Sequence, residues 1–111
     1  MLDQYNEAII WADKLLEIDP QYKSVLLCKA NSLRRLGQYK EAIVWAEKVL
    51  NIDPKHKLSL YCKGECLQEQ NQYSEALIFY EKFLKIQPNL QYFKDSKSNF
   101  KFKIKMNVQK L

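Results

Sequence analysis

Only two glycines and three prolines occur in the 111 residues, and histidine appears once. So little glycine removes the raw material for a glycine-rich phosphate cradle or a turn-dense β sandwich, and it leaves helices as the expected elements. A single histidine leaves at most one base for a Ser or Cys nucleophile, and that residue, His56, lies just after Pro54 in what reads as a turn. No apolar run exceeds five residues, as at Ala8 to Ala12 and Ala42 to Ala46, against the roughly 20 that span a bilayer. Met1 to Glu7 carries Asp3 and Glu7 without a basic flank, which is not a secretory signal, so an intracellular, cytoplasmic protein is expected. The cysteines, Cys28, Cys62 and Cys66, are odd in number and read as reduced thiols rather than a disulfide framework.

Hydrophobic residues make up 47% and charged residues 28%, enough apolar surface to offset the entropy lost on folding one small domain. The net charge of +5 is unevenly placed. Residues 1–88 hold 12 basic and 12 acidic side chains, whereas residues 89–111 hold six lysines against Asp95 alone. A neutral body therefore carries a basic tail.

Pro20, Pro54 and Pro88 are separated by 34 residues, and many positions keep the same period. Tyr5, Tyr39 and Tyr73 recur, as do Glu7, Glu41 and Glu75, and Ala8, Ala42 and Ala76. Within one period, Leu26, Leu27, Ala30, Leu33 and Leu36 fall at spacings of three and four, which predicts a first helix with one apolar face. Gly37 follows, and Asn71 takes its place one period later; both tolerate the positive φ of a tight turn. Ala42, Ile43, Ala46, Val49 and Leu50 predict a second helix that ends before Pro54. Gln4, Gln38 and Gln72 stand where Ser, Asp or Asn would ordinarily cap that second helix, so packing has to compensate.

A 34-residue helical hairpin with Ala30 or Gly64, Tyr39, Ala42 and Pro54 at these places resembles the tetratricopeptide repeat. The expected architecture is an all-α helical-hairpin solenoid, a right-handed superhelix of about two and a half repeats. It divides into a half repeat over 1–22, repeats over 23–56 and 57–90, and a basic tail over 91–111. Lys29 and Lys63, where an apolar residue is usual, and Leu26 and Leu60, in place of the common Trp, depart from the family pattern. The resemblance implies a peptide or partner helix bound in a concave groove lined by first helices. The positions it implies are Ser24, Leu27, Asn31, Arg34 and Arg35 in one repeat and Leu58, Tyr61, Glu65, Gln68 and Glu69 in the next. The carboxylate-gripping clamp of the family's chaperone-tail binders falls here on Ser24, Cys28, Leu58 and Cys62, so that specificity is not expected.

No catalytic residue, cofactor or metal is expected. Carboxylates recur at repeat intervals, as solvated faces do, and Cys62, Cys66 and His56 fall short of the four ligands of a tetrahedral zinc site. Cys28 and Cys62 share one repeat position and are expected in the core as small hydrophobes. The helix over Tyr5 to Asp19 lacks a preceding partner, which predicts an uncovered side at Ala8, Ala12 and Leu15, self-association through it, and a fragment of a longer array as one explanation. From Phe100 to Val108 the tail alternates apolar and polar residues, several of them lysines. That tail supports the alternative function, binding of nucleic acid or an anionic surface through its lysines. The leading expectation remains a non-enzymatic protein-interaction scaffold.

Overall fold

The computed structural model describes residues 2–86; Met1 and residues 87–111, with the basic segment 91–111, lie outside the described residues. Five helices follow one another: α1 (Leu2–Ile18), α2 (Lys23–Arg35), α3 (Tyr39–Ile52), α4 (Lys57–Glu69) and α5 (Tyr73–Ile86). No strand occurs among the described residues. Each helix packs on the next, and α2 also meets α4, whereas the backbones of α1, α3 and α5 do not approach one another among the described residues. The chain therefore stacks α2 and α4 closely on one side and spreads α1, α3 and α5 on the other.

The hairpin turns close in the same way twice. At the end of α2, the Gln38 amide donates to the Leu33 carbonyl at 2.9 Å and the Gly37 amide to that of Arg34 at 3.0 Å. At the end of α4, Gln72 donates to Leu67 at 2.9 Å and Asn71 to Gln68 at 3.0 Å. These paired bonds form the Schellman arrangement, which requires a left-handed residue, and Gly37 and Asn71 supply it with φ of 80° and 63°. Between hairpins, Asp53 Oδ1 accepts the Lys55 amide at 3.2 Å, as Asp19 Oδ1 accepts that of Gln21 at 3.1 Å. Short polar side chains thus satisfy the chain where proline stops the helix.

Gln38 at the α3 N-cap makes no side-chain capping bond, nor do Tyr22 at α2 and His56 at α4. The helices form without these caps. Ala30, Ala42, Ala46, Val49 and Ala76 have no exposed surface, so the helices approach where side chains are smallest. Two expectations need correction. Cys28 is exposed, whereas Cys62 and Cys66 are buried, because one repeat position need not see the same neighbours at successive levels of the stack. Ala12 is also buried, although Leu15 is exposed, because the small Ala12 side chain is enclosed where α1 packs on α2.

Candidate functional site

The close side of the stack brings together α2 and α4, the two helices expected to line a groove. Ser24 and Leu58 are exposed near their N-terminal ends, and Asn31, Arg34, Tyr61, Glu65 and Gln68 on the same two helices are half-buried. Leu27 turns into the core, where it joins Leu26, Ala30 and Leu33, and so serves packing more than display. Arg35 and Glu69 are exposed.

Several groove side chains are committed to one another. Arg34 Nη1 lies 3.3 Å from Glu65 Oε2, tying α2 to α4. Burial pushes the Glu65 carboxyl above its usual range, although Arg34 and then Arg35 pull it back. The Tyr80 hydroxyl, from α5, donates to Gln68 Oε1 at 3.0 Å. Burial, with the Glu65 charge nearby, raises the hydroxyl's pKa and keeps it a donor. Tyr61 packs edge-to-face with Tyr80 and at a tilt against Phe83, with both ring centroids 5.3 Å away. Arg34 Nε is buried without a hydrogen-bond partner among the described residues.

Beneath this layer, a hydrogen bond between the Cys62 and Cys66 thiols, with Arg34 alongside, lowers the Cys62 pKa despite its burial. The same bond and burial raise that of Cys66. His56 Nδ1 and Ser59 Oγ share a hydrogen bond of 2.9 Å at the start of α4. Ser59 has no exposed surface, so the pair braces the helix start rather than offering a nucleophile. Among the described residues, no three or more His, Cys, Asp or Glu side chains stand close enough to hold a metal ion. No helix among them is long and apolar enough to cross a membrane.

Sequence reasoning missed one repeated contact. Lys63 pairs with Glu47 of α3 at 2.8 Å and lies 4.3 Å from the centre of the Phe79 ring in α5. Lys29 likewise pairs with Asp13 of α1 and lies 3.8 Å from the Trp45 ring centre in α3. The two lysines that depart from the family pattern therefore bind a carboxylate of the preceding helix and an aromatic ring of the following one. The 34-residue recurrence of all three partners carried the signal.

Helical hairpins stacked at a 34-residue period, with small residues at each crossing and left-handed residues at each turn, define a tetratricopeptide repeat protein. The family model described as "Anaphase-promoting complex, cyclosome, subunit 3" matches residues 1–83, and the chain belongs to that family. Solved structures share the fold. The Sgt2 tetratricopeptide repeat domain from Aspergillus fumigatus is 25% identical, with 96% of this chain and 72% of that one covered and a TM-score of 0.85. The first such domain of human RPAP3 is 17% identical over 98% of this chain and 86% of that one, with a TM-score of 0.88. The first repeat domain of Spaghetti (RPAP3), solved with the HSP90 peptide SRMEEVD, is 19% identical over 92% and 81%, with a TM-score of 0.84. No curated protein matches the sequence.

Proposed function

We propose that the protein is a non-enzymatic interaction scaffold whose α2–α4 face binds a peptide or partner helix. The observation that supports this reading is the direct meeting of α2 and α4, tied by Arg34 and Glu65, with Asn31, Tyr61 and Gln68 half-buried on the same two helices and Ser24 and Leu58 exposed near their starts. Such a face offers hydrogen bonds, an aromatic surface and an apolar end, a mixture suited to an extended or helical peptide. Family membership supports a protein partner, because the family is described as a subunit of a larger complex. The Spaghetti domain, with the same fold, holds the HSP90 peptide SRMEEVD. The resemblance puts Ser24, Cys28, Leu58 and Cys62 at the family's carboxylate clamp, and Cys62 is buried. A carboxylate-terminated tail therefore lacks its cationic grip here, and the preferred peptide differs from SRMEEVD.

Selection of peptides from a displayed library against the full chain tests this reading. Selected sequences are expected to bind the wild type, to lose binding on Asn31→Ala with Leu58→Ser, and to survive deletion of residues 89–111. Labelled SRMEEVD is expected not to bind. Binding that ignores the groove pair but vanishes with the tail, and weakens steeply with salt, would transfer recognition to the lysines of residues 94–110.

A further inference from the structure

The outer helices carry an exposed apolar residue at one repeated position: Ile10 on α1, Val44 on α3 and Ile78 on α5, with exposures of 53%, 50% and 50%. Single exposed apolar residues are ordinary, but the same position left open on all three outer helices makes a row. Three residues before each lies an exposed acid, Glu7, Glu41 or Glu75, and four residues after each lies an exposed base, Lys14, Lys48 or Lys82. At the helical rise, each acid sits about 4.5 Å to one side of its apolar residue and each base about 6 Å to the other. Because α1, α3 and α5 are separated by antiparallel partners, they run in the same direction. Acid, apolar and basic residues therefore form three parallel rows across the outer face.

We propose that this outer face binds a second copy of the chain about a two-fold axis running along the apolar row. A two-fold interface joins one patch to itself, so its rows must be self-complementary. Rotation about an axis along the row lays each apolar residue against its counterpart and turns the acidic row of one copy onto the basic row of the other. Rotation about an axis across the rows would set like charges face to face, so the charge pattern selects the first orientation. The lysines are also held in place. Lys14 lies 4.7 Å from the Trp11 ring centre, Lys48 4.5 Å from that of Trp45, and Lys82 5.0 Å from that of Phe79. Side chains already restrained lose less freedom on binding. The wider spread of α1, α3 and α5 makes this side convex, so contact centres on Val44, Glu41 and Lys48 of α3, with the outer rows setting orientation. The face points away from α2 and α4, and pairing leaves both grooves open.

Sedimentation of the full chain at rising concentration, in reducing buffer because Cys28 is exposed, provides the test. The wild type is expected to dimerise, and more weakly as salt increases. The triple variants Lys14→Glu/Lys48→Glu/Lys82→Glu and Glu7→Lys/Glu41→Lys/Glu75→Lys, which alter exposed positions, are each expected to keep helix content and to self-associate at least about tenfold more weakly. Mixed in equal amounts, they are expected to form a heterodimer, because each then faces rows of opposite charge. Val44→Asp is expected to weaken the wild-type dimer. A wild type that stays monomeric, an association that neither triple variant weakens, or a mixture that fails to pair would overturn the proposal. So would dimers lost with residues 87–111, or through Leu15→Ser on α1, while Val44→Asp leaves them intact.

Discussion

The two complete hairpins in the described chain, α2–α3 and α4–α5, solve one crossing differently. In the first, Ala30 and Ala46 lie in the same buried cluster, both without exposed surface. One period later the pair becomes Gly64 and Tyr80, and a Cβ on Gly64 would stand 3.0 Å from Tyr80 Cε1. Volume removed from one helix is returned on the other. What the repeat preserves is the filled space between helices, not the residues that fill it. The turns differ similarly, with Gly37 in the first and Asn71 in the second.

Breaking that compensation gives the largest expected effects. Tyr80→Ala, which reduces the second crossing to Gly and Ala, is expected to cost about 3 to 5 kcal/mol in denaturant unfolding, since it opens a cavity and removes the bond to Gln68. Gly64→Ala alone is expected to destabilise by about 1 to 3 kcal/mol, because Tyr80 is held by Tyr61 and Gln68 and yields little. Combined with Tyr80→Ala, the same Gly64→Ala change should become stabilising, for the second crossing then matches the first. A double-mutant cycle without coupling would refute the exchange of volume.

The turns sharpen the comparison on a smaller scale. No atom lies within 4 Å of a Cβ built on Gly37. Gly37→Ala should therefore lower stability by about 1 to 2 kcal/mol through backbone strain alone. Asn71→Gly removes the hydrogen bond that Tyr73 donates to Asn71 Oδ1 at 2.7 Å while relieving strain. Its thermal midpoint should move by under about 0.5 kcal/mol equivalent.

The lysine contacts separate the levels more finely. Lys29→Met should cost about 1 kcal/mol and Lys63→Met about half that, as tryptophan presents a better face to a cation than phenylalanine. Glu65 supplies the smallest signal. Its pKa is raised on folding, so the native state holds its proton to higher pH than the unfolded chain does. Stability should then fall as pH rises from the ordinary carboxylate range through the raised value, and Glu65→Gln should flatten that slope. An unchanged slope would assign the titration elsewhere.

The hairpins, their order and both left-handed turn positions were legible in the sequence because each recurs at a fixed interval or follows from backbone chemistry. The groove was legible as a set of positions on α2 and α4. Its internal commitments were not, since Arg34 with Glu65 and Tyr80 with Gln68 join side chains at spacings the 34-residue period does not repeat. Lys29 and Lys63 read as departures because a buried stem with a paired head looks, letter by letter, like a polar residue in an apolar place. Cys28 misled for the opposite reason: a periodic position guarantees a place on the helix, not the neighbours that cover it.

Because each helix rests chiefly on the next in sequence, unfolding has a geography. Among the described residues, opening α1 sacrifices one interface, opening α3 two, and opening α2 or α4 three, so fraying starts at α1 and moves inward like a boundary along a one-dimensional lattice. Amide exchange with solvent should consequently be slowest in α2 and α4, faster in α3 and fastest in α1. Anything laid across neighbouring hairpins, whether in the groove or on the outer face, acts as a splint on that boundary.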